Sequence, residues 1–137
     1  MRRHPKRLAE AGITPARYDE LRSICRQYHE YRREAAAIAR GEYDRRRGSG
    51  AWHQPDPTGD EALRRADNFA ARRVAMIEGA ARTVDRTLAP YIVKSACEGL
   101  RFEFVRPPCG LVQFYNARLA FFVALDAALR GGVRHGD

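Results

Sequence analysis

Apolar side chains recur at three- and four-residue steps along two long stretches of this chain, a period that helices satisfy and strands do not. The first line runs through Tyr18, Leu21, Cys25, Tyr28, Arg32, Ala35 and Ala39, with Ile24, Tyr31 and Ile38 beside it. Arg17, Glu20, Arg26, Glu30, Arg33 and Glu34 occupy the opposite face. Thr14-Pro15 supplies an N-cap and a first-turn proline, so a helix is predicted over 14–43, weakened near its end by Gly41. The second line is Leu63, Ala66, Ala70, Val74, Ile77, Ala81, Val84 and Leu88, flanked by Phe69. Before it, Thr58-Gly59-Asp60-Glu61 has the capping-box pattern, which places a second helix over 61–89. Neither helix can bury its stripe alone, so the pair should fold back as an antiparallel hairpin. Only Arg101–Val105 alternates like a strand, and it has no pairing partner. The fold class expected is all-α: a long antiparallel helical hairpin followed by a compact C-terminal helix-turn-helix unit.

The other segments follow from their punctuation. Residues 1–13 read as a basic N-terminal arm. Residues 44–60 hold two prolines and three glycines and read as a loop; its Trp52 either anchors the loop on the core or meets a partner. From 90 to 130 the chain reads as a helix-turn-helix-like unit. Pro90 ends or restarts the helix, Tyr91–Cys97 forms a short helix stopped by Gly99, and Arg101–Val105 is about one helical turn. Pro107-Pro108 breaks the chain, and a last helix runs from Leu111 to about Arg130, with Phe114, Tyr115, Leu119, Phe122, Leu125 and Leu129 facing inward. Gly131-Gly132 ends it and leaves a flexible tail, 131–137.

At 137 residues the chain fits one compact domain, and its formal charge is +8. Residues 1–47 carry a net +6, residues 48–98 net zero and residues 99–137 a net +2. Of 25 basic residues 23 are arginine, which suits bidentate phosphate and guanine contacts and is also what GC-rich coding produces. Such a charge balance favours an anionic partner, nucleic acid first. No apolar run approaches the roughly 18–20 residues of a membrane span, and no apolar segment follows the basic residues 1–8 as a secretory signal would need. Cys25, Cys97 and Cys109 are too few and too scattered for a disulfide scaffold, and the odd count favours free thiols in a reducing compartment. Cys97, Cys109, His29 and His53 lack zinc-ligand spacing. Cys109 is read as part of a tight turn rather than a reactive thiol. Gly48-Ser-Gly50 lacks the Lys-Ser/Thr of a phosphate loop, and helix capping explains Glu61 better than a carboxylate cluster with Asp56 and Asp60. No cofactor, metal or enzyme activity is expected.

The function-bearing pattern is in residues 91–125: short helix, glycine, short helix, turn, long helix. With Phe114, Tyr115, Leu119 and Phe122 inward, Gln113, Asn116, Ala117 and Ala120 face outward. Gln113 and Asn116 then share one face near the helix N-terminus, where a recognition helix meets base edges; both amides can pair bidentately with adenine. Ala117 and Ala120 would allow close approach or touch a thymine methyl. The same face is also what an ordinary solvated helix presents. Lys94, Arg101, Arg106 and Arg118 are the candidate phosphate contacts, unless Arg118 pairs with an acidic residue.

Glu98-Gly-Leu-Arg-Phe-Glu-Phe-Val105 and Phe114-Tyr115-Asn-Ala-Arg118-Leu119 resemble the helix-turn-helix of sigma-factor region four. The wider chain, over about 14–129, resembles small phage and prophage late-gene transcription regulators of the RinA-like and ArpU-like kind. That likeness rests on Tyr18…Leu21…Ile24-Cys25…Tyr28…Tyr31, Asp56-Pro57-Thr58, Ile77-Glu78 and Tyr91-Ile92-Val93…Glu98-Gly99. It closes on Pro108-Cys109-Gly110…Phe114-Tyr115…Arg118…Phe121-Phe122…Leu125. The resemblance implies a regulator that binds double-stranded DNA in the cytoplasm of a bacterial host, with RNA polymerase and a second copy of the chain as further partners. A different class, a phage structural protein such as a small-terminase-like packaging subunit or a host-protein binder, would use the same hairpin to oligomerise.

Overall fold

The computed structural model describes residues 4–40 and 57–131, with 57–68 as backbone only. Every regular element among the described residues is α-helical: α1 (Lys6–Glu10), α2 (Pro15–Arg26), α3 (Tyr28–Ala39), α4 (Pro57–Val84), α5 (Ala89–Glu98), α6 (Phe102–Val105) and α7 (Leu111–Leu129). The residues group into two compact units, one of residues up to Gln27 together with those from Met76 onward, the other of Tyr28–Ala75.

Helix α2 starts as its sequence dictates. Thr14 is extended at the N-cap, its hydroxyl accepts the Arg17 N–H at 3.1 Å, and Pro15 takes the first helical position. The helix predicted over 14–43 is, however, two helices. Gln27 leaves α2 with its backbone N–H on the Ile24 carbonyl, and its side-chain amide donates to the Ser23 carbonyl at 3.3 Å. No glycine or proline marks this break. It coincides with the border between the two units, so a hairpin of two uninterrupted helices is not what forms.

The basic arm also needs correction. Residues 6–10 make a single helical turn with Leu8 fully buried, Ile13 is buried behind it, and the His4 ring bonds the Ile13 carbonyl. Helix α1 is thus packed against α7. Helix α4 opens at Pro57, one residue ahead of the capping box, and ends at Val84 rather than 89. There the Asp85 carboxylate accepts the Leu88 N–H at 3.0 Å, closing a turn that lets Pro90 sit in the first turn of α5. Trp52 and residues 44–56 of the loop, Gly41, and the tail beyond Gly131 lie outside the described residues.

Gly99 ends α5 in the left-handed region (φ 67°), as the glycine there predicts. Arg106 takes the same conformation (φ 53°) at the end of α6, unusual for a residue with a side chain. Helix α7 is apolar around most of its circumference, the pattern of a helix surrounded by others. It meets α1, α2 and α5, and buries Phe114, Leu119, Phe121, Phe122 and Leu125.

Two pairs hold this unit together in ways the composition does not announce. Asp126 of α7 is buried, and the Arg17 Nε donates to it at 2.6 Å while Arg130 Nε reaches it at 2.9 Å. Arg17, placed by its sequence position on the solvent face, is therefore a half-buried partner. Its guanidinium pKa is raised, chiefly by that hydrogen bond. Cys25 of α2 and Cys97 of α5 are both buried free thiols. Hydrogen bonding to Cys25, and then burial, push the Cys97 thiol far above its ordinary range.

Cys109, half-buried in the turn before α7, should accordingly be alkylated first in the native protein, with Cys25 and Cys97 modified only on unfolding. Pulsed iodoacetamide with mass spectrometry checks this; equal labelling of all three would contradict it. The protonated Cys97 also stabilises the fold below the ordinary thiol range. That contribution falls as pH rises above the range, because the unfolded chain then releases a proton that the folded chain retains.

Candidate nucleic-acid interface

The buried arc of α7 is centred on the column Phe114, Ala117, Phe121 and Leu125. This is rotated from the arc read in the sequence and overturns two assignments. Ala117 points inward and is 9% exposed, whereas Tyr115 points outward and is 49% exposed. The rotation follows from α7 having apolar residues on almost every side: its own sequence cannot say which face wins, and the packing of α1, α2 and α5 decides.

Gln113 and Asn116 are exposed at the start of α7, as the helix-turn-helix reading requires. They line a shallow groove floored by Ala117, Ala120, Val123 and Ala124, whose far wall is the end of α4 with Asp85 and Leu88. Arg7 of α1 lies in the same groove. The basic arm and the two amides are about a hundred residues apart in the chain; the burial of Leu8 brings them together.

The four phosphate-contact candidates are not gathered there. Lys94 is exposed on α5, Arg101 precedes α6 and Arg106 follows it, both exposed. Arg118 is half-buried on another side of α7, with its guanidinium 6.0 Å from the centre of the Phe122 ring. It forms no ion pair among the described residues; the acidic partner on this helix, Asp126, is taken by Arg17 and Arg130.

A second basic surface lies outside the residues expected from the sequence. In the unit Tyr28–Ala75, helix α3 presents His29, Arg32, Arg33 and Arg40 along one groove over Ala36 and Ala37. Arg32, assigned to the apolar line, is exposed and lies 5.8 Å from the Tyr28 ring centre. The signal was present as basic residues at three-, four- and seven-residue steps. Nearby in the same unit Tyr31 meets Phe69 edge-on at 6.0 Å, and Arg73 lies 4.8 Å over the Phe69 ring.

The start of α7 is also apolar on its outside. Leu111 and Val112 are 61% and 71% exposed, and Phe104 of α6 is 66% exposed. Among the described residues, no group of three His, Cys, Asp or Glu side chains could hold a metal ion, and no helix is long and apolar enough to cross a membrane. Comparison with protein-family models, curated proteins and solved structures gives no match to this chain.

Proposed function

We propose that this protein binds double-stranded DNA and acts as a transcription regulator of the phage late-gene kind, reading sequence through the first turns of α7. The observation that carries the reading is the groove in which Gln113 and Asn116 stand exposed beside Arg7: two amides able to pair with adenine, next to a cation able to hold a phosphate. In the other unit, the α3 surface with Arg32, Arg33 and Arg40 offers positive charge of the kind that suits a phosphate backbone. Binding, rather than catalysis, is the whole of the activity in this reading. RNA polymerase is the partner through which a sigma-like activator in a bacterial cytoplasm would act.

Site selection from a random duplex library tests it. Gln113→Ala with Asn116→Ala should keep general affinity and level the preference among selected sites, each amide contributing about 1–3 kcal/mol at its base pair. Arg32→Ala with Arg33→Ala should weaken binding to every sequence and flatten the dependence on salt. No enrichment of any sequence, or full preference in the double-alanine variant, removes the reading-helix assignment.

The exposed Phe104, Leu111, Val112 and Tyr115 favour a second reading, a phage structural or packaging subunit that meets another protein, or a second copy of itself, at this end of α7. Mass in solution separates the two, since a ring of subunits fits packaging and a monomer or dimer fits regulation.

A further inference from the structure

A cleft of about 470 Å³ opens in the first unit where α2 and α7 meet the N-terminal segment, and it is distinct from the groove of Gln113 and Asn116. His4, Tyr18, Asp19, Arg22, Tyr115 and Arg118 line it. Tyr18 of this lining packs edge-to-face on the buried Phe122 behind it, with ring centres 5.2 Å apart. Each ring carries one guanidinium: Arg22 lies 5.5 Å from the Tyr18 ring centre, and Arg118 lies 6.0 Å from that of Phe122. Two arginines that line one cleft thus each lie near one ring of this pair.

Their charge is little compensated. Arg22 touches Asp19 only at 4.0 Å, and that aspartate side chain is 76% exposed, so the pair is weak and exchangeable. Arg118 makes no ion pair among the described residues. A guanidinium beside a ring still has N–H groups to offer an oxyanion, and the contact already restricts its side chain. Tyr115 is 49% exposed at the same cleft, and its ring stacks on no other ring among the described residues. An open aromatic face beside a pair of phosphate-grade cations suits a ligand with a planar base at one end and a phosphate at the other. The volume falls in the range of small-molecule sites and is too small for a duplex to enter.

We propose that this cleft binds a free nucleoside monophosphate, with its phosphate between Arg22 and Arg118 and its base on Tyr115. The site is independent of DNA reading by Gln113 and Asn116, and it would place a nucleotide-sensing site on the same unit.

Titration of the full-length protein with adenosine 5′-monophosphate, followed by calorimetry, tests this, with adenosine and inorganic phosphate as separate arms. The nucleotide should bind at least ten-fold more tightly than either fragment. Arg118→Gln and Arg22→Gln should each weaken it ten-fold or more, and Tyr115→Ala should weaken it while leaving inorganic phosphate unchanged. Thermal melting of each variant confirms that it is folded; all three side chains reach the surface, so none should lower the melting temperature appreciably. A 5′-phosphorylated trinucleotide that competes no better than the mononucleotide supports the free ligand, and one that binds ten-fold tighter overturns it in favour of a strand end. Absence of binding at millimolar nucleotide, equal binding of inorganic phosphate, or indifference to both arginine variants overturns the site. Gln113→Ala with Asn116→Ala should leave nucleotide binding unchanged, so loss of duplex selectivity and loss of this site are read separately.

Discussion

Asp126→Ala should cost about 3–5 kcal/mol of unfolding free energy, the size seen when one partner is removed from a buried ion pair. Asp126 is buried on α7 with its side chain only 9% exposed, and it joins α7 to α2 through the 2.6 Å bond from Arg17. Removing the carboxylate leaves the Arg17 charge, 23% exposed, with only the well-exposed Glu20 at 3.1 Å as company. Arg17→Ala should cost less, because Asp126 keeps the bond from Arg130. The Arg130 side chain is 57% exposed, so Arg130→Ala should cost least of the three. Replacing both central partners, Arg17→Met with Asp126→Leu, should recover most of the loss, since no charge is then left buried. Urea unfolding of the four variants measures the series. A loss below about 1 kcal/mol for Asp126→Ala would mean that water already solvates this carboxylate. The raised pKa of Arg17 means that the contribution of its protonated form falls as pH rises above the ordinary arginine range.

Leu8→Ala should cost about 2–5 kcal/mol, the range for a fully buried leucine cut back to the β-carbon. Removing residues 1–8 takes away that side chain together with the His4 bond to Ile13, so truncation should destabilise the whole first unit and not merely trim its charge. Arg7→Ala is the informative contrast. Arg7 is exposed, and its loss should change stability by no more than about 0.5 kcal/mol while weakening attraction to DNA. A truncated chain that melts at the temperature of the intact one would show that Leu8 is not part of the core.

Much of the helical plan was legible because its signals are local. Thr14-Pro15, Gly99, Pro107-Pro108 and Gly110 before α7 each set a helix boundary through their own backbone chemistry, and all act where the sequence placed them. Gln113 and Asn116 are exposed as their polarity suggests, although the same helical count places Ala117 and Tyr115 on the wrong faces. The Cys25–Cys97 contact and the aromatic pair beside Arg22 and Arg118 could not be counted along the chain at all. Each joins residues about seventy or more positions apart, through helices whose meeting no local pattern encodes.

Periodicity and capping are properties of neighbouring residues, and they set the class of the fold, all-α, the start of α2 and the helix ends from α5 onward. Packing between helices settled the places where amphipathic signals are ambiguous. Helix α7 has apolar residues nearly all round, so its inward face, with Ala117 buried and Tyr115 outside, was chosen by the helices packed against it. The break at Gln27 carries no helix-breaking residue and exists where two compact units divide. The short basic segment around Leu8 reads as a solvated arm because six of its first seven side chains are polar or basic or are turn-forming. One buried leucine and a groove waiting on α7 outweigh them, since burying that side chain contributes more than solvating a few exposed charges loses.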